Sequence, residues 1–352
     1  MTDRPRGLLV MAYGTPASLG DVEAYYTHIR RGRTPSTEQL ADLTRRYAAI
    51  GGVSPLAERT GDQVAAIATA LDAEEPGRWA VALGNKHAPP FVEDAVAELA
   101  GSAPVDIVGL VLAPHYSRGS VGEYHERAAA AAGERGLTYV GIDAWYDDPA
   151  WLEAQADRVR AALGTLPAKT KVLFTAHSLP ERVLGDADPY PDQLRTSATA
   201  IARRAGLDPW YGWAPAWQSA GRTPEPWRGP DVRDVIRDLA ATGRAEGVLV
   251  CPQGFVSDHL EVLYDLDIDA RRVAADSGLA FGRTASINDD PVVMAALAER
   301  VRRTEASPPG VPSSGRGNGE RWGEAEAMAN GERSSSPRAA RTVRHRLGSA
   351  DP

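Results

Sequence analysis

At 352 residues, the chain is long enough for two domains of ordinary size or for one large α/β body. Its composition, 43% hydrophobic and 24% charged, is typical of a globular protein, and its formal charge of −8 argues against non-specific nucleic-acid binding. No apolar run approaches the roughly 20 residues that span a bilayer, and the N-terminal segment lacks the apolar stretch of a signal peptide. We therefore expect a cytoplasmic protein without a membrane span.

Short apolar runs alternate along the chain with longer helical patterns. The runs predict strands at Gly7–Ala12, Trp79–Gly84, Val105–Ala113, Thr138–Ile142, Val172–Ala176, Trp210–Ala214 and Gly247–Cys251. The patterns predict helices at Asp21–Arg30, Thr37–Ala49, Thr60–Ala73, Pro90–Ala100, Pro149–Leu163, Asp192–Ala205 and Pro230–Thr242. This alternation predicts an α/β fold with parallel sheets flanked by helices, in which ligands bind beyond the carboxyl ends of the strands.

The sequence also contains an internal repeat. A strand followed by MAYGTP at residues 11–16 is mirrored by a strand followed by TAHSLP at 175–180, which aligns Tyr13 with His177. Glu123 follows Pro114 by nine residues, and Glu261 follows Pro252 by the same interval. Strand-then-turn segments resemble one another in any α/β protein, but the repeat favours two Rossmann-like half-domains, at about 7–145 and 165–303, intertwined at the C-terminal end, with a cleft between them.

The composition changes near Ser307. The stretch from there to Pro352 is rich in Gly, Ser, Pro, Arg and Glu and has no sustained apolar periodicity. Such a segment cannot bury enough apolar surface to offset its ordering entropy. The sequence therefore predicts a folded body over residues 1–306 and a disordered polar tail over 307–352.

Several polar residues lie where a parallel fold would place a ligand. His177 follows a predicted strand, although a histidine there is more often structural than catalytic. Glu261, Asp265 and Asp269 are spaced four residues apart, on one side of a helix that extends that far. Three stacked carboxylates are either a solvated face or a path for a cation, and composition alone favours the solvated face. Cys251, the only cysteine, excludes an internal disulfide and predicts a small buried residue on a strand.

Taken together, a larger set of segments resembles the ferrochelatases, and among them the soluble enzymes of Gram-positive bacteria that act on coproporphyrin III. The resemblance covers roughly residues 7–303, in order and with plausible spacing. The segments that carry it are GLLVMAYGTP (7–16), YYTHIRRGR (25–33), IGGVSPL (50–56), AHSLPE (176–181), DPYPDQ (188–193), WQSAG (217–221) and FVSDHLEVLYD (255–265).

The resemblance implies a role for each residue that matches the motifs. His177 and Glu261 match the pair that binds Fe²⁺ and accepts pyrrole protons, with the division of the two tasks left open. Asp265 and Asp269 match an acidic ladder for metal or protons, although the family commonly has Glu at the second position. Tyr13 matches the residue on the opposite face, whose phenolate is the axial ligand to iron in the product.

The resemblance also implies a set of contacts to the macrocycle and its propionates. These residues are Tyr13, Arg30, Arg46, Tyr47, Ser54, Tyr124 and Trp227. Arg31 and Arg33 are either substrate contacts or part of a solvated basic patch. His87 is interpreted as a structural residue in preference to one that lines the cleft. Because His259 precedes Glu261 by two residues, a regular helix would point it elsewhere. No role is assigned to His28, His115 or His125.

The resemblance predicts Fe²⁺ and coproporphyrin III as substrates, with no permanently bound cofactor. A single cysteine is too few for the iron–sulfur cluster that some relatives carry. The tyrosine of the Ala12–Thr15 motif favours coproporphyrin III over protoporphyrin IX. A protoporphyrin IX ferrochelatase, a cobalt chelatase of the same fold and a non-catalytic haem carrier remain as alternatives. We further expect a monomer that passes its product transiently to a coproheme decarboxylase.

Overall fold

The computed structural model of the protein describes residues 4–304, except residues 186 and 222. The tail predicted over 307–352 lies outside the described residues. The strands are β1 Arg6–Ala12, β2 Trp79–Asn85, β3 Ile107–Val111, β4 Tyr139–Ile142, β5 Thr170–His177, β6 Trp213–Gln218, β7 Gly247–Cys251 and β8 Ala280–Arg283.

Twelve α-helices connect these strands within the described residues. They are α1 Val22–Ile29, α2 Thr37–Ala49, α3 Leu56–Glu74, α4 Val92–Gly101, α5 Glu123–Gly133, α6 Pro149–Leu163, α7 Glu181–Leu184, α8 Tyr190–Arg204, α9 Val232–Ala241, α10 Leu260–Leu263, α11 Arg271–Asp276 and α12 Pro291–Arg303. Two π-helical segments, Arg118–Gly122 and Asp265–Ala270, precede α5 and α11 respectively. None of the helices in the described part is long and apolar enough to cross a membrane.

The strands form two parallel four-stranded sheets with the same topology. Their orders are β2-β1-β3-β4 and β6-β5-β7-β8, so each half-domain repeats one winding. The central strands β3 and β7 are buried along their whole length, which explains their continuous apolar sequences, since helices cover both faces of a parallel sheet. The prediction of two Rossmann-like half-domains is confirmed.

The two alignments that make up the predicted repeat do not share one register. Backbone pairing sets Met11 opposite Val111 in one sheet and Phe174 opposite Cys251 in the other. When Tyr13 is aligned with His177, Val111 therefore corresponds to Pro252 and not to Leu249. The alignment of Pro114 with Pro252, and of Glu123 with Glu261, therefore differs by three residues from the alignment of Tyr13 with His177.

Two strand predictions differ from the structure. The sixth strand begins at Trp213, because Asp208 accepts hydrogen bonds from the amides of Trp210 and Tyr211 and holds these residues in a turn. Both rings are more than 80% exposed there. The edge strand β8 was not predicted, because it is only four residues long and half-buried.

The last helix crosses back to the first half-domain. α12 packs against α3 and α6, and its Leu297 and Val301 share one core cluster with Ile67 and Leu71 of α3. The Gln63 amide on α3 also donates to the carbonyl of Asn288, at 2.9 Å. The C-terminal helix of the second half-domain therefore packs against the first half-domain.

Candidate active site

A cleft of about 300 Å³ lies beyond the carboxyl ends of the central strands and draws its walls from both half-domains. It brings together most of the residues that the sequence singles out. Those that line it are Tyr13, Tyr47, Ser54, Tyr124, His177, Trp227 and Glu261. Because parallel strands of one sheet end at the same edge, residues far apart in sequence meet here.

His177 is the last residue of β5, and its side chain is partly exposed to the cleft. Its Nδ1–H donates to the carbonyl of Ser178 at 2.5 Å, which directs Nε2 toward Glu261. Nε2 lies 3.3 Å from Glu261 Oε1. The backbone contact thus fixes which ring nitrogen faces the cleft, the arrangement that orients histidines toward metals.

The charges of this pair stabilise each other. Burial disfavours the imidazolium of His177, but the facing Glu261 outweighs it and raises the pKa of His177 to about 9. Burial likewise opposes ionisation of Glu261, but His177 and then His259 hold its pKa well below its usual range. Without metal, the site is an imidazolium–carboxylate pair, so a cation that binds to Nε2 must displace a proton.

The acidic ladder continues through a π-helical turn. Asp265 begins this segment, accepts a hydrogen bond from Ser219 at 2.5 Å, and lies next to Glu261. Burial and the charge of Glu261 raise the pKa of Asp265 to about 6. Asp269 is held instead by Arg272 at 3.0 Å and Arg233 at 4.0 Å. The outer end of the ladder is therefore neutralised by arginines.

Arg46 joins this ladder and does not line the cleft. Its Nε bonds Asp42 at 3.0 Å and its Nη1 lies 3.6 Å from Asp265. Arg30 is also absent from the cleft wall: it is 4% exposed and its Nε donates to the carbonyl of Arg33. That these two arginines contact the macrocycle and its propionates stays a prediction.

The first half-domain contributes the opposite wall. Tyr13 follows β1, and its ring packs on the ring of His87 with centroids 4.6 Å apart. The Tyr47 hydroxyl lies 3.5 Å from Thr15 Oγ1, and burial raises the pKa of Tyr47 to about 12, so this hydroxyl remains a neutral hydrogen-bonding group. The Tyr124 ring lies under the ammonium of Lys86, at 5.3 Å.

Ser54 and Trp227 lie at other parts of the wall. Ser54 Oγ accepts a hydrogen bond from the amide of Leu56 at the start of α3. The Trp227 indole N–H donates to Thr223 Oγ1 at 2.8 Å, which orients the ring beside the cleft. Together with Tyr13 and Tyr124, these side chains offer flat apolar surface with hydroxyls among it, as a planar ligand with polar substituents requires.

Comparison with known proteins identifies the family. A family model described as Ferrochelatase matches residues 5–305. Coproporphyrin III ferrochelatase of Geobacillus kaustophilus is 45% identical over 307 residues, which cover 86% of this chain and 96% of that protein. The protein of the same name from Bacillus subtilis is 44% identical and is covered over 98% of its length. The chain belongs to the ferrochelatase family.

The fold of this family member also matches a solved chelatase. The structure of SirB from Bacillus subtilis with Fe³⁺ superimposes with a TM-score of 0.51 at 12% identity, covering 85% of this chain and 94% of that one. At this identity the match shows the shared fold alone. It agrees with the two half-domains described above.

One residue in the cleft was interpreted incorrectly from the sequence. His259 lines the cleft, and its Nε2 lies 3.7 Å from Glu261 Oε2. The prediction that it points elsewhere assumed a regular helix, but α10 begins only at Leu260, and His259 is the extended residue before it. In this ferrochelatase, Glu261 thus lies between the imidazoles of His177 and His259. The FVSDHLE motif, which places His259 two residues before Glu261, is the sequence feature that could have indicated this contact.

Two other predictions concern buried residues of this ferrochelatase. Cys251 is fully buried on β7, as predicted for a structural cysteine. His115, to which no role was assigned, is 3% exposed and borders the cleft. Its Nε2 bonds Ser197 Oγ of the other half-domain at 2.8 Å, and burial lowers the pKa of His115 to about 3. His115 is therefore a neutral link between the halves.

Proposed function

We propose that this ferrochelatase inserts Fe²⁺ into coproporphyrin III, giving Fe-coproporphyrin III and two protons. The observation that carries the proposal is that Tyr13 of one half-domain and the His177–Glu261 pair of the other line one cleft. The names of the relatives from Geobacillus kaustophilus and Bacillus subtilis support coproporphyrin III as the porphyrin.

Fe²⁺ enters from the side of His177 and Glu261. Imidazole and carboxylate are suitable ligands for a divalent first-row metal. Because Ser178 holds the Nδ1–H, the Nε2 lone pair faces the cleft once the Nε2 proton has left. Asp265 lies next to Glu261 and binds Ser219, so it is placed to receive that proton or to pass the metal inward. Asp269 has at most a minor part, since two arginines already balance it.

The two pyrrole protons leave toward the same side. Two of the four pyrrole nitrogens carry protons, and these two leave as the four N–Fe bonds form; the ionised Glu261 carboxylate, and Nε2 of His177 once the metal has left it, are the acceptors within reach. Bending of the bound macrocycle would expose the pyrrole lone pairs to the arriving metal. No permanently bound cofactor takes part, and one buried cysteine offers no cluster ligands.

Tyr13 acts on the other face of the macrocycle. Its phenolate is the axial ligand to iron in the product, the role that tyrosine has in some haem proteins. Tyr47, Ser54, Tyr124 and Trp227 hold the macrocycle and its propionates. We further propose that the protein acts as a cytoplasmic monomer and transfers its product transiently to a coproheme decarboxylase.

Anaerobic Fe²⁺ insertion, followed by absorbance, tests the function directly. Coproporphyrin III and protoporphyrin IX are offered separately to the purified full-length protein. Turnover of coproporphyrin III in preference is the expected result. Preference for protoporphyrin IX would keep the chelatase and reject the substrate, Co²⁺ insertion into a corrin precursor alone would favour the cobalt chelatase, and tight binding without insertion would identify a haem carrier.

A further inference from the structure

The DPYPDQ segment, residues 188–193, carries part of the family resemblance, and none of the roles assigned above uses it. It belongs to the second half-domain and leads into α8. Its side chains bind the loop that follows β3 in the first half-domain, residues 112–122, which we call the β3 loop. This loop contributes five residues to the cleft wall: Leu112, Ala113, His115, Gly119 and Ser120.

Asp188 joins the two half-domains through its half-buried carboxylate. Its Oδ2 accepts hydrogen bonds from Ser117 Oγ at 3.0 Å and from the amide of Arg118 at 2.9 Å. Its Oδ1 accepts one from the amide of Tyr190 at 3.0 Å, which fixes the carboxylate to its own segment. Ser117 is fully buried, so its hydroxyl cannot exchange this acceptor for water.

The contact lies at the point where the β3 loop enters its π-helical segment, Arg118–Gly122. Ser117 is the extended residue before that segment, and its carbonyl accepts from the amides of Ser120 and Gly122, both at 3.1 Å. Hydrogen bonds to a carboxylate are stronger than those between neutral groups. Because Gly119 and Ser120 line the cleft, the position of this part of the wall depends on a carboxylate of the opposite half-domain.

Gln193 makes a second contact from the same segment. Its Oε1 accepts a hydrogen bond from the amide of Tyr116 at 2.7 Å. Together with the bond between His115 and Ser197, it means that four consecutive residues of the loop, 115–118, bind the second half-domain. The β3 loop is therefore held along a stretch of chain and not at one point.

The DPYPDQ segment also reaches the metal side of the cleft through Tyr190, which is 8% exposed. The Tyr190 ring meets the ring of His115 edge-on, with centroids 6.3 Å apart, and its hydroxyl lies 3.4 Å from the carbonyl of His177. One short segment thus contacts both the β3 loop and the backbone of His177. It fixes where the loop lies relative to the metal side.

We propose that Asp188 is a positioning residue for the porphyrin, whose carboxylate holds the β3 loop in the place where the loop and the His177 side enclose the macrocycle. This inference rests on the proposed function for the identity of the ligand. Asp188 itself does not line the cleft. Its loss should therefore weaken porphyrin binding and leave the chemical step nearly unchanged.

The test is the affinity for metal-free coproporphyrin III, measured by fluorescence quenching with the full-length protein, and then steady-state Fe²⁺ insertion. Asp188→Asn keeps the size of the side chain, but its amide has one acceptor oxygen in place of two and carries no charge. We expect porphyrin binding to weaken about tenfold. The KM for porphyrin should rise by a similar factor, while kcat stays within about twofold.

Asp192→Asn is the matched control, because it makes the same change in the same segment. Asp192 is exposed, pairs with Arg195 at 2.5 Å and does not line the cleft. Its replacement should leave both the affinity and the KM for porphyrin unchanged.

Ser117→Ala removes one of the two donors to Asp188 Oδ2 and should weaken porphyrin binding about threefold. The double variant Asp188→Asn/Ser117→Ala should bind about as weakly as Asp188→Asn alone, since both changes break the same contact. Ser117→Ala deletes a single oxygen atom, so it decides the question by itself if Asp188→Asn does not fold.

Porphyrin affinity and KM that are unchanged in Asp188→Asn and in Ser117→Ala would overturn the proposal. A lower melting temperature with unchanged porphyrin affinity would overturn it as well, because Asp188 would then support the fold alone. The proposed function fails differently: the original chain would bind coproporphyrin III without inserting iron, and the affinity comparison would still report on Asp188.

Discussion

Tyr13 and His177 are matched by the sequence repeat at the carboxyl ends of β1 and β5, yet the residues around them differ. Sheet pairing makes Lys86, after β2, the equivalent of Gln218, at the end of β6. The Lys86 ammonium pairs with Glu123 over the ring of Tyr124, whereas the amide of Gln218 donates to the backbone carbonyl of Glu261 at 3.1 Å. The two half-domains therefore place matched residues at the same positions of one scaffold, and the types of residue at those positions differ.

The helices after the third strands differ in the same sense. α5 carries Glu123 and Arg127, and both are engaged with cations or with a neighbouring carboxylate. The corresponding stretch of the second half carries Glu261, Asp265 and Asp269 through a π-helical segment. One half-domain thus presents cations suited to anionic substituents, and the other presents carboxylates suited to a metal ion.

The largest expected effect comes from replacing His177, and replacing Tyr13 gives the contrasting result. His177→Ala should lower Fe²⁺ insertion by about a thousandfold or more, because it removes both a metal ligand and a base, while porphyrin affinity changes little. Tyr13→Phe should retain most of the insertion rate but lose the ligand to product iron, seen as a changed absorbance spectrum. Fe²⁺ insertion by the His177→Ala variant would contradict the assignment of His177 and Glu261 to the metal-binding side of the cleft.

The second prediction concerns the charge that surrounds His177. Glu261→Gln should return the pKa of His177 from about 9 toward its usual value, as measured by NMR titration of the imidazole. Because the pKa of His177 is raised in the folded chain, its protonated form stabilises the fold fully below the unfolded-state pKa of about 6.5. This contribution to stability is lost as the pH rises through about 9. The stability difference between the original chain and the variant should therefore shrink from neutral pH to about pH 10.

Glu153→Gln on the outer face of α6 is the control for that titration. Its carboxylate pairs with Arg160, and Glu153 does not line the cleft. An unchanged pKa of His177 in Glu261→Gln would mean that the carboxylate is not what raises it.

The third prediction contrasts His115 of the first half with His177 of the second. Burial depresses the pKa of His115, so the unfolded chain takes up a proton below about pH 6.5 while the folded chain does not. In urea unfolding experiments, the free energy of unfolding should decrease as the pH is lowered, by about 2 kcal/mol near pH 5. His115→Gln should flatten this slope. A slope that persists in the variant would place the acid sensitivity elsewhere.

The smallest effects are expected along the ladder. Asp265→Asn should slow Fe²⁺ insertion about tenfold, since its carboxylate adjoins Glu261 and is paired less closely, with Arg46 at 3.6 Å, than that of Asp269, with Arg272 at 3.0 Å. Asp269→Asn should change the rate by about twofold or less, because Arg233 and Arg272 already neutralise Asp269. Equal losses in the two variants would show that the ladder works as a unit through to its outer end.

Local signals in the sequence predicted several elements to the residue. α2 begins at Thr37 because Ser36 and Gln39 form a reciprocal capping box. α6 begins at Pro149 because Asp148 caps the amides of Ala150 and Trp151. Both motifs lie within four residues of chain, so neither needs knowledge of the tertiary structure.

Features that depend on tertiary packing were missed or misplaced. The π-helical turn after Glu261 and the late start of α10 cannot be read from spacing, and they decide where His259 and Asp269 lie. The contact of Arg46 with Asp265 likewise becomes visible only once distant segments of the chain meet. The motifs specified which residues matter, and packing specified what each one touches.

The return of α12 to the first half-domain has a consequence for how the chain matures. Leu297 and Val301 complete the core around Ile67 and Leu71, and Arg6 at the start of β1 donates to the carbonyl of Thr304 at 2.8 Å. During synthesis from the N-terminus, the first half-domain therefore stays incomplete until residues near 303 have been translated. Chains that stop before α12 should be captured by chaperones or proteases as entire molecules, and no separately stable first half should accumulate.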